Sequence, residues 1–322
     1  MIDTVAPTDS TRAQAAAERP AIAIHNLVVQ YGDRRAVDGL SFTVPAGAIF
    51  GFLGLNGAGK TTTIKTLLGF RAPAAGSAQV LGYDIVRDSQ AIRARVGYVS
   101  ETNSLYDQLT IPQIIAFCRA TSRRWNGAIV DRYIRTFGLP PRARVGQLSK
   151  GMKSQLALSL ALGGEPDLLI LDEPTNGLDP LARHEVLNTL VREIAAEGKT
   201  LFFSSHILTE VEAIADWVAI IRDGRLVVCD ELDHLKQTQR VLKLTYDQVP
   251  APAEIAALQA LPAVARVEQE GRGVRIVARG DVDALAQQLQ GRPGGVRHVD
   301  AVNLNLEDLF LEYMKDSSEG QQ

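Results

Sequence analysis

The stretch Gly54-Leu55-Asn56-Gly57-Ala58-Gly59-Lys60-Thr61 has the apolar segment IFGFL before it, and it runs into the segment TTTIKTLLG. It satisfies the pattern G-x-x-x-x-G-K-[ST], in which a glycine-rich loop joins a buried strand to a helix. Backbone N–H groups of such a loop and of the helix start bind phosphate oxygens. We predict that this loop and Thr62 bind nucleotide phosphates, that Lys60 reaches the β- and γ-phosphates, and that Thr61 ligates Mg²⁺.

A second motif runs from Asp167 to Glu173 and is an apolar segment that ends in two carboxylates. A buried strand of this kind places Asp172 and Glu173 at the carboxyl edge of a sheet, where open α/β sheets bind their ligands. We expect Asp172 to complete the Mg²⁺ shell through water and Glu173 to polarise or deprotonate an attacking water molecule. The alternative, ordinary capping acids at a solvated strand end, is disfavoured by the phosphate-binding motif upstream.

Strand-like and helical segments alternate through the first two thirds of the chain. The apolar strands LLILD and TLFFSS flank a helical segment from Pro180 to Glu197. Such alternation predicts an α/β fold, a P-loop nucleotide-binding domain with a mostly parallel sheet, over residues 22–237. From about Thr102 the apolar spacing becomes helical, so we expect a helical subdomain over about residues 102–160.

The pattern changes after residue 237. Segments there alternate as strand, helix, strand, strand, helix, strand, and the amphipathic segment LEDLFLEYMK follows. This order predicts a small α+β domain of ferredoxin-like type over residues 238–316. Residues 1–21 and 317–322 lack apolar periodicity, and we expect them to be loose tails.

The composition excludes several classes of protein. With 34 Lys and Arg against 37 Asp and Glu, the net charge of −3 gives no basic excess, and no nucleic-acid partner is expected. The two cysteines, Cys118 and Cys229, exclude a disulfide framework and fit no zinc pattern. Neither an apolar run of roughly 18 residues nor a secretory signal is recognised, so we expect a cytosolic protein that does not span a membrane.

Further motifs make the chain resemble the nucleotide-binding subunits of ATP-binding-cassette (ABC) transporters. The segment LSKGM at Leu148–Met152 is similar to the family's LSGGQ signature, and NGLD at Asn176–Asp179 is similar to its D-loop. His206 resembles the catalytic switch histidine, and Tyr31 resembles the aromatic residue that stacks on adenine. A helix cap and a strand-end aromatic are the ordinary alternatives for these two residues. With the two motifs above, the match covers roughly residues 22–230 in the family's order.

The resemblance implies a Mg²⁺-dependent ATPase that works as a head-to-tail dimer. In such a dimer Ser149, Lys150 and Gly151 would contact the γ-phosphate of the ATP held by the partner's loop, and Asp179 is the D-loop aspartate. A serine hydroxyl and a glycine N–H at a helix start form a set of donors for an anion, which supports this implication independently. The ordinary alternative for Ser149 is a helix N-cap.

Three positions depart from the family's pattern. Glu101, in VGYVSE, stands where the Q-loop glutamine is commoner, and its carboxylate can still approach Mg²⁺ at the cost of added negative charge. Lys150 replaces the first signature glycine and Met152 replaces the signature glutamine. The positive charge of Lys150 could offset Glu101. These departures and the C-terminal domain resemble the single-cassette subunits that pair with separately encoded ABC-2 (export-type) membrane subunits.

The resemblance therefore implies ATP and Mg²⁺ as cofactors, a second cassette and an ABC-2 permease as partners, and a peripheral location on the cytoplasmic face of the inner membrane. Contact with the permease is expected near Glu101 to Leu109. The alternatives are a soluble ABC ATPase that acts on ribosomes or DNA, and a regulatory ATP-binding module. The single phosphate loop and the short interval from Lys60 to Ser149 disfavour the first, and Glu173 and His206 disfavour the second.

A basic segment and the last helix each have two possible interpretations. The segment from Arg119 to Lys153 contains nine basic residues and one acid, Asp131, and it is either a solvated helical face or a surface beside anionic lipid or acidic partner loops. The apolar face of the last helix either packs on its own domain or contacts the twin subunit. The residues of this face are Leu306, Leu309, Phe310 and Tyr313.

Overall fold

The computed structural model describes residues 19–102, 105–290 and 295–315. The chain divides into two compact units at the bond between Cys229 and Asp230. The domain limits expected from the sequence, including the boundary after residue 237, stay predictions. Most of the tail at 1–21 and all of the tail at 317–322 lie outside the described residues.

The first unit contains two sheets. The strands of the smaller one are β1 (Ile22–Tyr31), β2 (Arg34–Val44), β4 (Ala75–Val80) and β5 (Tyr83–Asp84), and they are antiparallel in the order β2-β1-β4-β5. The strands of the larger one are β3 (Ile49–Leu53), β6 (Val96–Val99), β7 (Leu168–Asp172), β8 (Thr200–Ser205), β9 (Trp217–Arg222) and β10 (Arg225–Glu231). The larger sheet has the order β10-β9-β3-β8-β7-β6.

The pairs β3–β8, β3–β9, β7–β8 and β6–β7 are parallel, as the alternation of strands and helices predicts. Leu53 pairs with Ser205, and Asp172 pairs with Ser204. Because parallel strands point the same way, this register brings the carboxyl ends of β3, β7 and β8 to one edge of the sheet. The phosphate loop, the acidic pair Asp172 and Glu173, and His206 therefore lie at the same edge of the sheet.

Helices connect the strands of the first unit. They are α1 (Lys60–Leu67), α2 (Ser89–Arg93), α3 (Ile111–Thr121), α4 (Gly127–Thr136), α5 (Lys150–Gly163), α6 (Pro180–Glu197) and α7 (Leu208–Ile214), with a 3₁₀ turn at Val145–Gln147. The helical spacing continues to Trp125, but α3 ends at Thr121 because Ser122 adopts an extended backbone. No helix in the part of the chain described here has the length and apolar character needed to cross a membrane.

Aromatic side chains form the centre of the first unit. The rings of Phe42, Phe50, Phe52 and Phe202 lie with neighbouring centroids 5.3–6.3 Å apart. All four are at most 7% exposed. Burying each such ring stabilises the fold by roughly 1.5–3 kcal/mol. The core therefore holds β3 and β8, which carry site residues at their ends, against the smaller sheet.

The second unit has the element order that the sequence predicts. Its elements are α8 (Leu232–Thr238), β11 (Gln239–Tyr246), α9 (Pro252–Gln259), β12 (Val264–Glu270), β13 (Gly273–Arg279), α10 (Val282–Gln290), β14 (Val296–Asn303) and α11 (Leu306–Lys315). The sheet has the order β12-β13-β11-β14, and its neighbours are antiparallel. Gly271, with a φ of +60°, forms the turn between β12 and β13.

The last helix covers its apolar face within the chain. The four residues of that face are 0–8% exposed, whereas Leu311 on another side of the helix is 48% exposed: the four are Leu306, Leu309, Phe310 and Tyr313. Gln239 Nε2 donates a hydrogen bond to the hydroxyl oxygen of Tyr313, and Arg275 Nη1 donates one to Glu312 Oε1 at 2.8 Å. Burial lowers the pKa of Arg275, but the carboxylates of Glu312 and Glu268 together raise it above its usual value. This packing favours the interpretation that α11 belongs to its own domain.

Candidate functional site

The phosphate loop needs glycine at two of its positions. A Cβ on Gly54 would lie 2.7 Å from the carbonyl oxygen of Ile221. Gly59, which precedes α1, has a φ of +108°, and a Cβ there would lie 2.5 Å from the carbonyl oxygen of Ala36. Any larger residue would therefore move the loop. Leu55, Asn56 and Gly57 are exposed between these points, whereas Ala58 is buried.

Lys60 joins the loop to the acidic strand. Its side chain is 6% exposed, and its Nζ donates a hydrogen bond of 2.7 Å to the carbonyl oxygen of Gly54. The same Nζ lies 3.1 Å from Oε1 of Glu173, whose side chain is 7% exposed. A buried ammonium group beside a glycine-rich loop is a fixed positive charge at the place where phosphate groups bind.

Asp172 ends β7 and faces two hydroxyl groups. Thr61 Oγ1 donates to Asp172 Oδ1 at 3.1 Å, and Ser204 Oγ donates to the same oxygen at 2.8 Å. Burial raises the pKa of Asp172, and the hydrogen bonds from Ser204 and Thr61 oppose that shift. The neighbouring carboxylates of Glu101 and Glu173 raise the pKa further. A cation bound here would favour the ionised form of Asp172.

Glu173 has a backbone conformation that is uncommon outside glycine, with a φ of +50°. Its N–H donates to Ser204 Oγ at 3.0 Å, and its Oε2 lies 2.7 Å from Nδ1 of His206. Its other oxygen, Oε1, is buried and has no hydrogen-bond partner within the described chain, although Lys60 is close. A carboxylate oxygen has more than one lone pair, so Oε1 can accept a further hydrogen bond beside its contact with Lys60.

Most of these groups line one cavity of about 270 Å³, whereas Asp172 and His206 contact the lining residues Thr61 and Glu173 from outside the lining. The predicted site residues that line it are Leu55, Asn56, Gly57, Gly59, Lys60, Thr61, Glu101 and Glu173, and Asn176 joins them. Asn176 Nδ2 donates to Glu101 Oε1 at 3.0 Å, so the D-loop and the Q-loop position are linked within one chain. The cavity thus combines a cation, a hydroxyl group and two carboxylates around a glycine-rich loop.

The oxygen atoms of the site suit a small divalent cation. Thr61 and Asp172 are in contact, and Glu101 lines the same cavity. Mg²⁺ binds oxygen ligands and is usually held by one or two carboxylates together with substrate phosphates. No group of three His, Cys, Asp or Glu side chains in the described ranges could hold a metal ion by itself. The donors present therefore fit Mg²⁺ bound jointly with a nucleotide.

The signature residues lie at the start of α5 and do not line this cavity. Ser149 Oγ accepts a hydrogen bond from the N–H of Met152 at 3.2 Å, which is an N-cap. A Cβ on Gly177 would lie 2.6 Å from Lys150 Nζ, so Lys150 lies beside its own D-loop. A Cβ on Gly151 would meet its neighbours only at ordinary contact distances of 3.5 Å or more.

Asp179 and Thr62 also form hydrogen bonds within their own chain. Asp179 Oδ1 accepts hydrogen bonds from the N–H groups of Leu181 and Ala182, both at 3.0 Å, and so it caps the start of α6. The carbonyl oxygen of Thr62 accepts a bond from Thr66 Oγ1 at 2.9 Å. Their predicted roles toward ATP stay predictions.

Tyr31 is the last residue of β1 and lies outside the cavity lining. Its side chain is 45% exposed, and the guanidinium carbon of Arg71 lies 3.8 Å from the centroid of its ring. An exposed aromatic ring at the end of a strand is available for stacking.

Sequence reasoning missed several supporting residues. Ser204 bonds both acids of the motif, yet the two serines of TLFFSS give no signal beyond their place at a strand end. Thr175 Oγ1 donates to buried Glu210 at 2.6 Å, and burial raises the pKa of Glu210. Nothing in the sequence pairs these residues, because they lie on different elements. Asn176 was recognised only as part of the D-loop motif.

Comparisons with known proteins agree with the geometry. The sequence pattern of a family described as ABC transporter matches residues 37–176. The Nod factor export ATP-binding protein I of Burkholderia orbicola (strain AU 1054) is 36% identical over 296 residues, which cover 90% of this chain and 95% of that protein. The bacitracin transport ATP-binding protein BcrA of Bacillus licheniformis is 39% identical over 218 residues, which cover 67% of this chain and 71% of that protein.

A solved structure described as the ATP binding subunit of an ABC transporter superposes with a TM-score of 0.62 at 31% identity. It covers 67% of this chain and 92% of that one. The α/β P-loop cassette predicted from the sequence is confirmed by this likeness.

Proposed function

Since this chain belongs to the ABC transporter family, whose cassettes bind and hydrolyse ATP, we propose that it is the ATPase subunit of an exporter with a separate membrane subunit. One observation carries the proposal. The carboxylate of Glu173 is held between Lys60 and His206, at 3.1 Å and 2.7 Å, in the cavity that the phosphate loop lines.

The phosphates of ATP bind along Gly54 to Thr62. Backbone N–H groups of the loop and of the start of α1 donate to the phosphate oxygens. The ammonium group of Lys60 neutralises part of the charge on the β- and γ-phosphates. The base stacks on Tyr31, whose ring is exposed at the end of β1.

Thr61 and Asp172 would hold Mg²⁺, and Glu101, which lines the same cavity, would add a further carboxylate. When bound, the ion withdraws charge from the phosphate oxygens. Asp172 is kept in place by Ser204 and Thr61, and Glu101 is kept in place by Asn176. These hydrogen bonds fix the direction of the carboxylates before the nucleotide arrives.

Glu173 is the general base of the reaction. It accepts a proton from water as the water oxygen bonds to the γ-phosphorus and the bond from that phosphorus to the β–γ bridging oxygen breaks. The products are ADP and inorganic phosphate. Oε1 of Glu173 accepts from the attacking water, and His206 holds Oε2, so the carboxylate cannot rotate away.

The functional unit that we propose is a head-to-tail dimer. The cavity of one chain is lined by most of the phosphate loop and by Thr61, Glu101 and Glu173, but by no residue of the signature segment. Ser149, Lys150 and Gly151 would then contact the γ-phosphate held by the partner, and Asp179 would lie near the contact between subunits. A hydroxyl and an N–H group at the start of α5 suit an anion.

Export through an ABC-2 type permease is the transport function that we propose. The relatives named for export of Nod factor and for transport of bacitracin support it, and so do Glu101 and the LSKGM form of the signature. The permease would contact the region from Glu101 to Leu109. The chain would then lie peripherally on the cytoplasmic face of the inner membrane.

Nucleotide binding and turnover test the ATPase. The purified chain should hydrolyse ATP only with Mg²⁺, and Lys60→Ala should lower ATP affinity by at least about tenfold, since it removes a buried charge from the phosphate site. Lys65→Ala is the matched control, because Lys65 lies exposed on the same helix. Equal affinity in all three proteins, measured by calorimetry, would contradict the proposed site.

Purification from detergent-solubilised membranes tests the transport function. A tagged copy of this chain should retain a polytopic membrane protein, and the complex should show faster ATP hydrolysis than the chain alone. Recovery of ribosomal subunits or DNA in place of a membrane protein would favour a soluble ABC ATPase.

A further inference from the structure

Arg71 stacks on the aromatic residue at the base-binding end of the site. Its guanidinium carbon lies 3.8 Å from the centroid of the Tyr31 ring, which is the shortest distance among the cation–π contacts found in the described chain. Its Nη2 also donates to the backbone carbonyl oxygen of Gln30 at 2.5 Å. Arg71 therefore contacts both the ring of Tyr31 and the peptide that carries it.

Tyr31 and Arg71 come from different parts of the fold. Tyr31 ends β1, and Arg71 follows the helix α1 that starts at the phosphate loop. Between them the chain turns through Gly32, with a φ of +57°, and Gln30 Nε2 donates to the carbonyl oxygen of Gly32 at 2.6 Å. The stacked pair thus ties the end of β1 to the segment that follows the phosphate-binding helix.

We propose that Arg71 is a positioning residue for the nucleotide base, because its guanidinium holds the Tyr31 ring in the orientation that stacks on adenine. This inference rests on the proposed function, in which Tyr31 binds the base. With one face of the ring covered, the side chain is still 45% exposed, so ring surface remains open to a ligand.

The cost of ordering a side chain predicts the direction in which Arg71 changes ATP affinity. An exposed ring that is free to rotate must be ordered when the base binds, and that ordering weakens affinity. A guanidinium group already stacked on the ring removes this cost, and exposed cation–π contacts are commonly worth enough to change affinity about two- to fivefold. If Arg71 instead occupied the position of the base, its removal would strengthen ATP binding.

The experiment measures the dissociation constant of ATP for the full-length chain by calorimetry, together with that of inorganic tripolyphosphate, which has no base. Arg71→Ala should weaken ATP binding about two- to fivefold and leave tripolyphosphate binding unchanged. Arg71→Lys should restore part of the loss. Arg279→Ala is the matched control, since Arg279 lies over the ring of Tyr313 in the other unit.

A double-mutant cycle with Tyr31→Ala completes the test. Arg71→Ala should have no further effect on ATP affinity in the Tyr31→Ala background, because its action passes through the ring. Equal losses in both backgrounds, tighter binding of ATP, or a parallel loss of tripolyphosphate affinity would each overturn the proposal for Arg71. A wild-type chain that binds ATP no better than tripolyphosphate, or a Tyr31→Ala variant with unchanged affinity, would instead overturn the base-binding role of Tyr31.

Discussion

Glu173 has a φ of +50°, and the hydrogen bonds around it maintain this uncommon conformation. Its N–H is bonded to Ser204, and its carboxylate contacts Lys60 and His206. Uncommon backbone conformations of this kind persist when the surroundings fix them, and they are frequent at active sites. Glu173 thereby lines the cavity beside the phosphate loop, as the general base that we propose has to.

Replacing this base should separate binding from turnover. Glu173→Gln keeps the shape of the side chain and removes its basicity, so ATP turnover should fall by about 10²- to 10⁴-fold. ATP affinity should stay the same or rise, because Lys60 loses a competing carboxylate. Steady-state hydrolysis and nucleotide titration measure the two effects, and size-exclusion chromatography with ATP should reveal a trapped dimer.

Glu165→Gln is the matched control for this change. Glu165 also has a positive φ, of +46°, but its carboxylate bonds to Asn126 and lies outside the cavity. Its substitution should leave turnover near that of the wild type. Turnover near the wild-type value in Glu173→Gln, or loss of nucleotide binding there, would reject the assignment of Glu173 as the base.

At the scale of elements, the basic segment from Arg119 to Lys153 is partly neutralised by acids elsewhere in the fold. Arg124 Nη1 lies 3.0 Å from Asp167 Oδ1, and Lys153 Nζ lies 2.8 Å from Asp107 Oδ1. Arg132 pairs with Glu193 of α6, which also accepts a hydrogen bond from the hydroxyl of Tyr133. These ion pairs favour a solvated face for part of the segment, and they reduce the charge available to an anionic surface.

Charge reversal at Arg123 tests whether the exposed part of the basic segment lies beside anionic lipid. If this exposed residue lies beside anionic lipid, Arg123→Glu should weaken binding to anionic liposomes about fivefold per charge removed, most visibly at low salt. The double change with Arg124→Glu should weaken binding further, but it also places two carboxylates together at Asp167. A flotation assay at several salt concentrations measures the effect.

Arg272→Glu is the control for this experiment, because it makes the same charge change at an exposed position of the second unit. Binding that is equal in all variants and insensitive to salt would favour the solvated face. A loss that is equal for Arg123→Glu and Arg272→Glu would indicate a response to net charge only.

Elements with a clear apolar pattern or clear end signals were predictable, and short elements of mixed polarity were not. The strands LLILD and TLFFSS have the predicted bounds, since burial on both faces leaves an uninterrupted apolar run. The helix Pro180–Glu197 also has the predicted bounds, because a proline starts it and Gly198 follows its end. The helix α2 (SQAIR) and the strand β5 (YD) are short and of mixed polarity, so they show no apolar pattern. Their formation depends on packing that the local sequence does not encode.

The site was predictable where one motif carries several residues. Lys60, Thr61, Asp172 and Glu173 meet as their motifs indicate. The link between Asn176 and Glu101 and the stacking of Arg71 on Tyr31 join positions far apart in the chain, and no spacing rule relates them. Strand order within each sheet was likewise outside the reach of local patterns, because each strand presents similar edges to any neighbour.

At the scale of the whole molecule, removal of most of the second unit tests what that unit does. Deletion of residues 238–322 should leave ATP affinity unchanged, since every residue of the cavity lies in the first unit. The hypothesis of a contact with the twin subunit predicts a weaker nucleotide-free dimer and an ATPase rate that depends more on protein concentration. The buried face of α11 favours the opposite outcome, an unchanged nucleotide-free state.

Light scattering with and without ATP, on the full and shortened chains, measures the outcome. Circular dichroism first verifies that the shortened chain is folded. A nucleotide-free dimer that is present in the full chain and absent in the shortened one would restore the twin-subunit hypothesis.

The register between β7 and β8 also determines where the chain can gain or lose a residue without disturbing the site. Asp172 lies opposite Ser204 because the two strands pair without a bulge from Leu168 onward. Side chains alternate between the two faces of a strand, so one residue inserted inside β7 would turn Asp172 away from Thr61. The turn at Gly198, with a φ of +60°, precedes the first pair of β8, so we expect a change of length there to leave that register in place. Natural variation in length among homologous chains should therefore concentrate at such turns and spare the strands that end at the site.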